Sequence, residues 1–195
     1  EGRKLPDFVN RKLFVYPPLF CYLIILSYHL FDVSLHSALL VPSFFGIAII
    51  IVAFLIAKSL YNSKVAILSA ILMSIEPINW ICSQKIWIET TYVFFASLAI
   101  LFFIYSLRNK TYFIFTGISL GLALLSKYQA ILALAIIMVF IFLRRRQLLY
   151  EPKFWQMLIV LLVMLLPWII WNIVDEGFVT LKDFVIANCS FKSFR

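Results

Sequence analysis

Residues 38–57 form an unbroken apolar stretch of twenty positions without one charged side chain. A helix of that length reaches about 30 Å, the thickness of a bilayer's hydrocarbon core. A chain carrying such a segment must cover it with lipid or with a large core, and 195 residues cannot supply the core. The remainder of the sequence points the same way. Hydrophobic residues make up 64% and charged residues 13%, against about 45–50% and 25% in soluble domains, and the mean hydropathy is +1.03. The chain is therefore expected to be an all-α integral membrane protein.

Five more apolar segments follow, at 65–82, 92–107, 112–125, 130–143 and 154–173. With the first they predict a polytopic bundle of about six spanning helices. The fourth and fifth are short, and only their flanks divide them. Arg108 and Lys110 precede the pair, while Arg144, Arg145 and Arg146 follow it. Basic clusters prefer the cytoplasmic side. Both ends then face the cytoplasm, the pair makes a hairpin, and its tip falls at Ser126-Lys127-Tyr128-Gln129. Lys58 with Lys64, and Lys153, extend the same alternation. Lys85 with Glu89, then Lys127, then Asp175 with Glu176 occupy the opposite, extracytoplasmic side.

The chain divides into an outer loop with a short helix at 1–37, a transmembrane bundle at 38–173, and the start of a further outer loop at 174–195. Residues 19–31 are apolar and follow Pro17-Pro18, a good helix start. They either span or lie in the outer interface, and charge does not separate the two. Starting at Glu1 and closing on Phe191-Lys192-Ser193-Phe194-Arg195, the sequence reads as an internal piece of a longer polypeptide.

The net charge of +8 does not indicate nucleic acid, because the basic residues sit in short clusters between apolar segments. Cys21, Cys82 and Cys189 are far apart, and His29 and His36 have no ligand-type neighbours, so no metal or cofactor is expected. Four ionisable residues at or near membrane depth are candidates for function: Glu76, Lys85, Glu89 and Lys127. For Lys85 and Glu89 the simplest account is an i,i+4 pair, worth about 0.2–0.5 kcal/mol. Lys127 interrupts a stretch otherwise uncharged from Thr111 to Leu143. It either snorkels to the headgroups or holds a phosphate as a point charge. Glu76 precedes Pro77 inside an apolar segment, where it is either protonated or bonded to a nearby helix end. Trp80, Trp87, Trp168 and Trp171 fit an interfacial belt. Gly117 and Gly121 have the spacing of a close helix contact.

The order of these features resembles a known family. Tyr16-Pro17-Pro18-Leu19-Phe20-Cys21-Tyr22-Leu23 resembles the proline-pair motif of dolichyl-phosphate-mannose–protein mannosyltransferase-like membrane enzymes. These belong to the GT-C glycosyltransferase superfamily, which also holds the aminoarabinose transferases. Ser37 to Gly46 resembles the family's small-residue helix entry. Glu76-Pro77 through Ser83-Gln84-Lys85-Ile86-Trp87-Ile88-Glu89 resembles the stretch closing on its outer acidic residue. Gly121 to Tyr128 is similar to its glycine-to-lysine motif, and Pro167-Trp168 through Trp171-Asn172 to a later proline-tryptophan element. There are departures. Gln84 stands where the family often has arginine, with Lys85 as the nearest replacement charge, and Ile88 where it often has proline. The family's principal base, an aspartate upstream of the proline pair, has no counterpart here, since Asp7 is misplaced for it.

The resemblance implies a GT-C-like bundle in which residues 19–31 form a juxtamembrane helix on the outer side. It implies transfer of a sugar from a polyprenyl- or dolichyl-phosphate donor to an acceptor hydroxyl, with inversion, on the extracytoplasmic face. Glu89 would be a supporting catalytic residue, the base lying upstream of this sequence and the piece alone being inactive. Lys127, Lys85, Tyr128, Tyr16, Pro17, Pro18 and Glu76 would line the donor site, with no metal or cofactor. The implied partners are membrane lipids, the lipid-linked sugar and a protein, lipid or glycan acceptor. The membrane is the cell membrane, or the endoplasmic reticulum in a eukaryote. The competing expectations are a transporter, disfavoured by the lack of an internal repeat and of midplane charges, and a non-catalytic membrane subunit whose charges only anchor helices.

Overall fold

The computed structural model describes residues 17–176, with side chains to residue 170, and every regular element among them is helical. Tyr16, Asp7 and residues 177–195, Cys189 among them, lie outside the described residues, as do the side chains of Trp171, Asn172, Asp175 and Glu176. Helix α1 (Leu19–Phe31) starts directly after the proline pair. It leads through Asp32, whose φ of 73° turns the chain, into α2 (Leu35–Leu60). There the Ser34 hydroxyl accepts from the Ser37 amide at 3.1 Å, a helix N-cap. At 13 residues, α1 is about 20 Å long and too short to cross.

Helices α3 (Ser63–Ser74) and α4 (Pro77–Ser83) are two parts of the expected segment 65–82, bent by 56° at Glu76-Pro77. Next come α5 (Glu89–Ser106), α6 (Tyr112–Ser126), a 3-10 turn at Tyr128–Ala130, α7 (Ile131–Arg144), a second 3-10 turn at Arg146–Tyr150 and α8 (Pro152–Glu176). Among the described residues α2, α5 and α8 are long and apolar enough to cross a membrane, and α3 with α4 makes a fourth if counted as one broken span. The expected six is higher because α6 and α7 have only 15 and 14 residues, short of the ~20 that a crossing needs.

Side-chain contacts fix the direction of each leg. Phe45 of α2 packs on Phe94 and Phe95 of α5, so these two run in parallel, and the α3–α4 pair brings the chain back to Ser83, whose carbonyl accepts from Ser43 at 2.9 Å. Tyr105 meets Tyr112 while the start of α5 meets the end of α6, an antiparallel pair. Helix α8 lies parallel to α6: Phe154 packs against Phe113, and Gly117 and Gly121 face Met157 and Met164. The glycine spacing is therefore a close helix contact, as expected. Helix α7 carries the chain back beside α5, where Phe140 packs on Phe103, with Ala133, Ile137 and Ile141 buried in the core.

The basic residues gather at one end of this bundle. Lys110 pairs with Glu151 at 3.1 Å, and Lys153 reaches the Thr111 hydroxyl at 3.2 Å. Lys127 and Trp168 are at the other end. The short hairpin expected from charge alternation is present in the fold.

Candidate functional site

Glu89 and Lys127 meet because of where their helices begin and end. Glu89 is the first residue of α5, where unbonded backbone N–H groups favour an anion. Lys127 closes α6, where unfilled carbonyls favour a cation. Its backbone turns extended there (φ −152°, ψ 136°), and its amide gives the last helical bond, to Ala123. The antiparallel α5–α6 pair sets the two ends side by side. The Lys127 Nζ donates to Glu89 Oε1 at 2.7 Å and sits 5.4 Å from the centre of the Tyr92 ring. The Lys127 side chain is only 16% exposed and that of Glu89 37%, so Lys127 is engaged within the protein rather than snorkelling.

The pair closes one side of a recess of about 390 Å³. Pro17, Phe20 and Cys21, from the entry to α1, form one wall. Ile86, Trp87 and Ile88, from the link between α4 and α5, form another. The floor of the site is thus apolar, with one ammonium and one carboxylate at its edge. Such a lining accepts an amphiphile: a hydrocarbon against the walls and an anion at Lys127.

The other expected site residues are distributed differently. Lys85 and Glu89 do not form their i,i+4 pair. Residues 85–88 are not helical, and the Trp87 amide bonds back to the Lys85 carbonyl at 2.7 Å. The Lys85 Nζ instead lies 4.4 Å from the centre of the Trp87 ring, and Lys85 is not part of the recess lining. Pro18 starts α1, its carbonyl accepting from Tyr22 at 3.1 Å, outside the lining. Tyr128 packs on Trp168, ring centres 5.5 Å apart, which ties the hairpin tip to α8. Trp168 is therefore a packing residue as well as a belt residue. Glu76 is not inside a helix. It ends the bend between α3 and α4, and its carboxylate accepts from the Asn79 amide as the N-cap of α4, ahead of Pro77. The recess lining does not include it.

Phe20, Cys21, Ile86, Trp87 and Ile88 line the recess without having been expected there as functional residues, and Tyr92 was equally unforeseen. Tyr92 carried a usable signal, since it lies three residues after Glu89 and so on the same helical face. The apolar wall residues carried none, being indistinguishable from lipid-facing ones.

An acidic helix start and a basic helix end on an apolar recess are matched by the sequence at the family level: residues 15–171 match the family described as dolichyl-phosphate-mannose-protein mannosyltransferase. The chain belongs to this family. Nothing among curated proteins or solved structures matches it. Membership of the mannosyltransferase family makes it a membrane glycosyltransferase, and the family implies a lipid-linked sugar donor and an acceptor. The matched residues contain the whole recess, the hairpin and α8 as far as Trp171.

Proposed function

We propose that the protein transfers a sugar from a polyprenyl- or dolichyl-phosphate donor to an acceptor hydroxyl on the extracytoplasmic face, with inversion at the anomeric carbon. The observation that carries this is the Glu89–Lys127 pair at the edge of an apolar recess. The donor's isoprenoid lies along the apolar walls and its phosphate exchanges with Glu89 as the partner of Lys127. Negative charge grows on the departing lipid phosphate as the glycosidic bond breaks, and an ammonium already in position lowers the cost of that charge. Glu89, released from Lys127, orients the acceptor hydroxyl, which gives its proton to a carboxylate base as its oxygen attacks the anomeric carbon. Lys85, beside the Trp87 ring, adds positive potential, and Tyr128 holds the tip of the hairpin that carries Lys127. The face follows from charge: Arg108, Lys110, Arg144 and Lys153 occupy the end opposite the recess, and basic loops stay cytoplasmic. In this arrangement α6 and α7 are short crossings within a thinned region shielded by their neighbours.

The test is donor binding and turnover in the intact enzyme. Lys127→Ala should weaken binding of a polyprenyl-phosphate sugar by about ten- to a hundred-fold, the value of a hydrogen bond to a charged group. Lys127→Arg should keep part of it, charge being retained and geometry changed. Glu89→Gln should lower turnover more than binding. Folded Lys127→Ala protein that binds the donor as well as the parent does would overturn the assignment.

A further inference from the structure

Away from the recess, α7 carries a second feature that sugar transfer does not use. Its buried residues, Ala133, Ile137 and Ile141, recur every four positions and face the core. The flank beside them bears an open groove of about 620 Å³ lined by Leu132, Ala135, Ile136, Val139, Phe140 and Leu143, and it ends at Arg144. All of these but Arg144 are apolar, and Ala135 is the small residue that deepens the groove. From Leu132 to Arg144 the helix rises about 18 Å, nearly the whole of this short crossing, so an acyl chain lying beside it runs most of the way through the thinned region. Length and chemistry therefore agree: one acyl chain fits the groove, with its headgroup at Arg144.

The charge at that end selects the headgroup. Arg145 and Arg146 follow Arg144 directly. Arg146 turns back over the helix, its Nε donating to the Phe142 carbonyl at 2.8 Å. Among the described residues the ion pairs are Lys110–Glu151 and Lys127–Glu89, and neither uses an arginine. Glu151, the acidic residue nearest in sequence, is thus already committed to Lys110. Among the described residues the groove runs from apolar to guanidinium with no carboxylate paired to that guanidinium. We propose that this face of α7 is a binding site for an anionic glycerophospholipid, one acyl chain lying in the groove and the phosphate against Arg144. It is distinct from the donor recess, which lies at the other end of the bundle. The site does not depend on the reading of the Glu89–Lys127 pair.

Native mass spectrometry of the protein released from nanodiscs of equal phosphatidylglycerol and phosphatidylcholine tests this. The parent should retain phosphatidylglycerol in preference. Arg144→Gln with Arg145→Gln should reduce that preference by about fivefold for each arginine that meets the anionic headgroup region. Ala135→Trp fills the groove from an exposed position and should lower retention of both lipids, while the fold, read by circular dichroism, is unchanged. An unaltered phosphatidylglycerol preference in the double-glutamine variant overturns the proposal, as does unaltered lipid retention in Ala135→Trp. A parent that is dimeric and becomes monomeric on Ala135→Trp would assign the face to a second copy and overturn it too.

Discussion

Removing either partner of the Glu89–Lys127 pair should have unequal consequences, and the inequality follows from exposure. Lys127 is the more buried, 16% against 37%. Glu89→Gln keeps the shape and an acceptor oxygen but leaves an ammonium largely shut off from water. Lys127→Met leaves a carboxylate that is over a third exposed and still rests on the N-terminus of α5, so water and the helix dipole compensate it. A hydrogen bond to a charged group contributes about 1.5–3 kcal/mol, and a stranded buried charge costs at the upper part of that range or beyond. Glu89→Gln is therefore expected to destabilise by about 3 kcal/mol. Lys127→Met should cost about 1 kcal/mol, reduced by screening of its exposed partner. The double variant should lose less than the sum, because no charge is then left unpaired, with a coupling of about 1 kcal/mol. Unfolding in mixed detergent micelles, followed by tryptophan fluorescence for all four proteins, gives the cycle. Equal single losses, or an additive double variant, would refute the claim that the pair is held together by mutual neutralisation at the helix ends.

Other expectations concern the frame around the pair. A Cβ added at Gly117 would lie 2.5 Å from the Met157 carbonyl oxygen, whereas at Gly121 it meets the flexible thioether of Met164 at 2.8 Å. Gly117→Ala should therefore cost about 1–3 kcal/mol as overpacking and Gly121→Ala distinctly less, both measured by thermal unfolding. Cysteines placed at Asn109 and Gln147 should react with impermeant reagents only from the cytoplasmic side, and one at Gln129 only from outside. Glu76→Ala removes the cap of α4 and should destabilise by about 1 kcal/mol. Glu76→Gln, which keeps an acceptor, should lose less in the same assay.

Charge alternation made the hairpin legible: with Lys127 as the only charge between Thr111 and Leu143, the turn had one place to fall, and the chain does break there. The meeting of Glu89 with Lys127 was not legible, although both residues were singled out. Sequence spacing suggested Lys85 as the partner of Glu89, because i,i+4 reasoning presumes a helix through residues 85–89. The backbone is a turn there, and the pairing is decided by which helix packs beside α5. The bend at Glu76-Pro77 was half visible. Proline marked it, but the role of Glu76 as a cap appears only once α3 is seen to end before it. The shortness of the fourth and fifth segments was legible as well: 112–125 and 130–143 read as short in the sequence, and α6 and α7, at 15 and 14 residues, remain shorter than α2, α5 and α8.

The parallel packing of α6 and α8 bears on how the chain is made. The glycine face of α6 is filled by Met157 and Met164, residues that leave the ribosome only after α7 has been delivered to the membrane. Until then α6 has its contact with α5 on one side and an open cleft on the other. The last long helix thus acts as a closing piece: a chain that ends before Met157 leaves the Gly117 and Gly121 face of α6 without the neighbour that fills it.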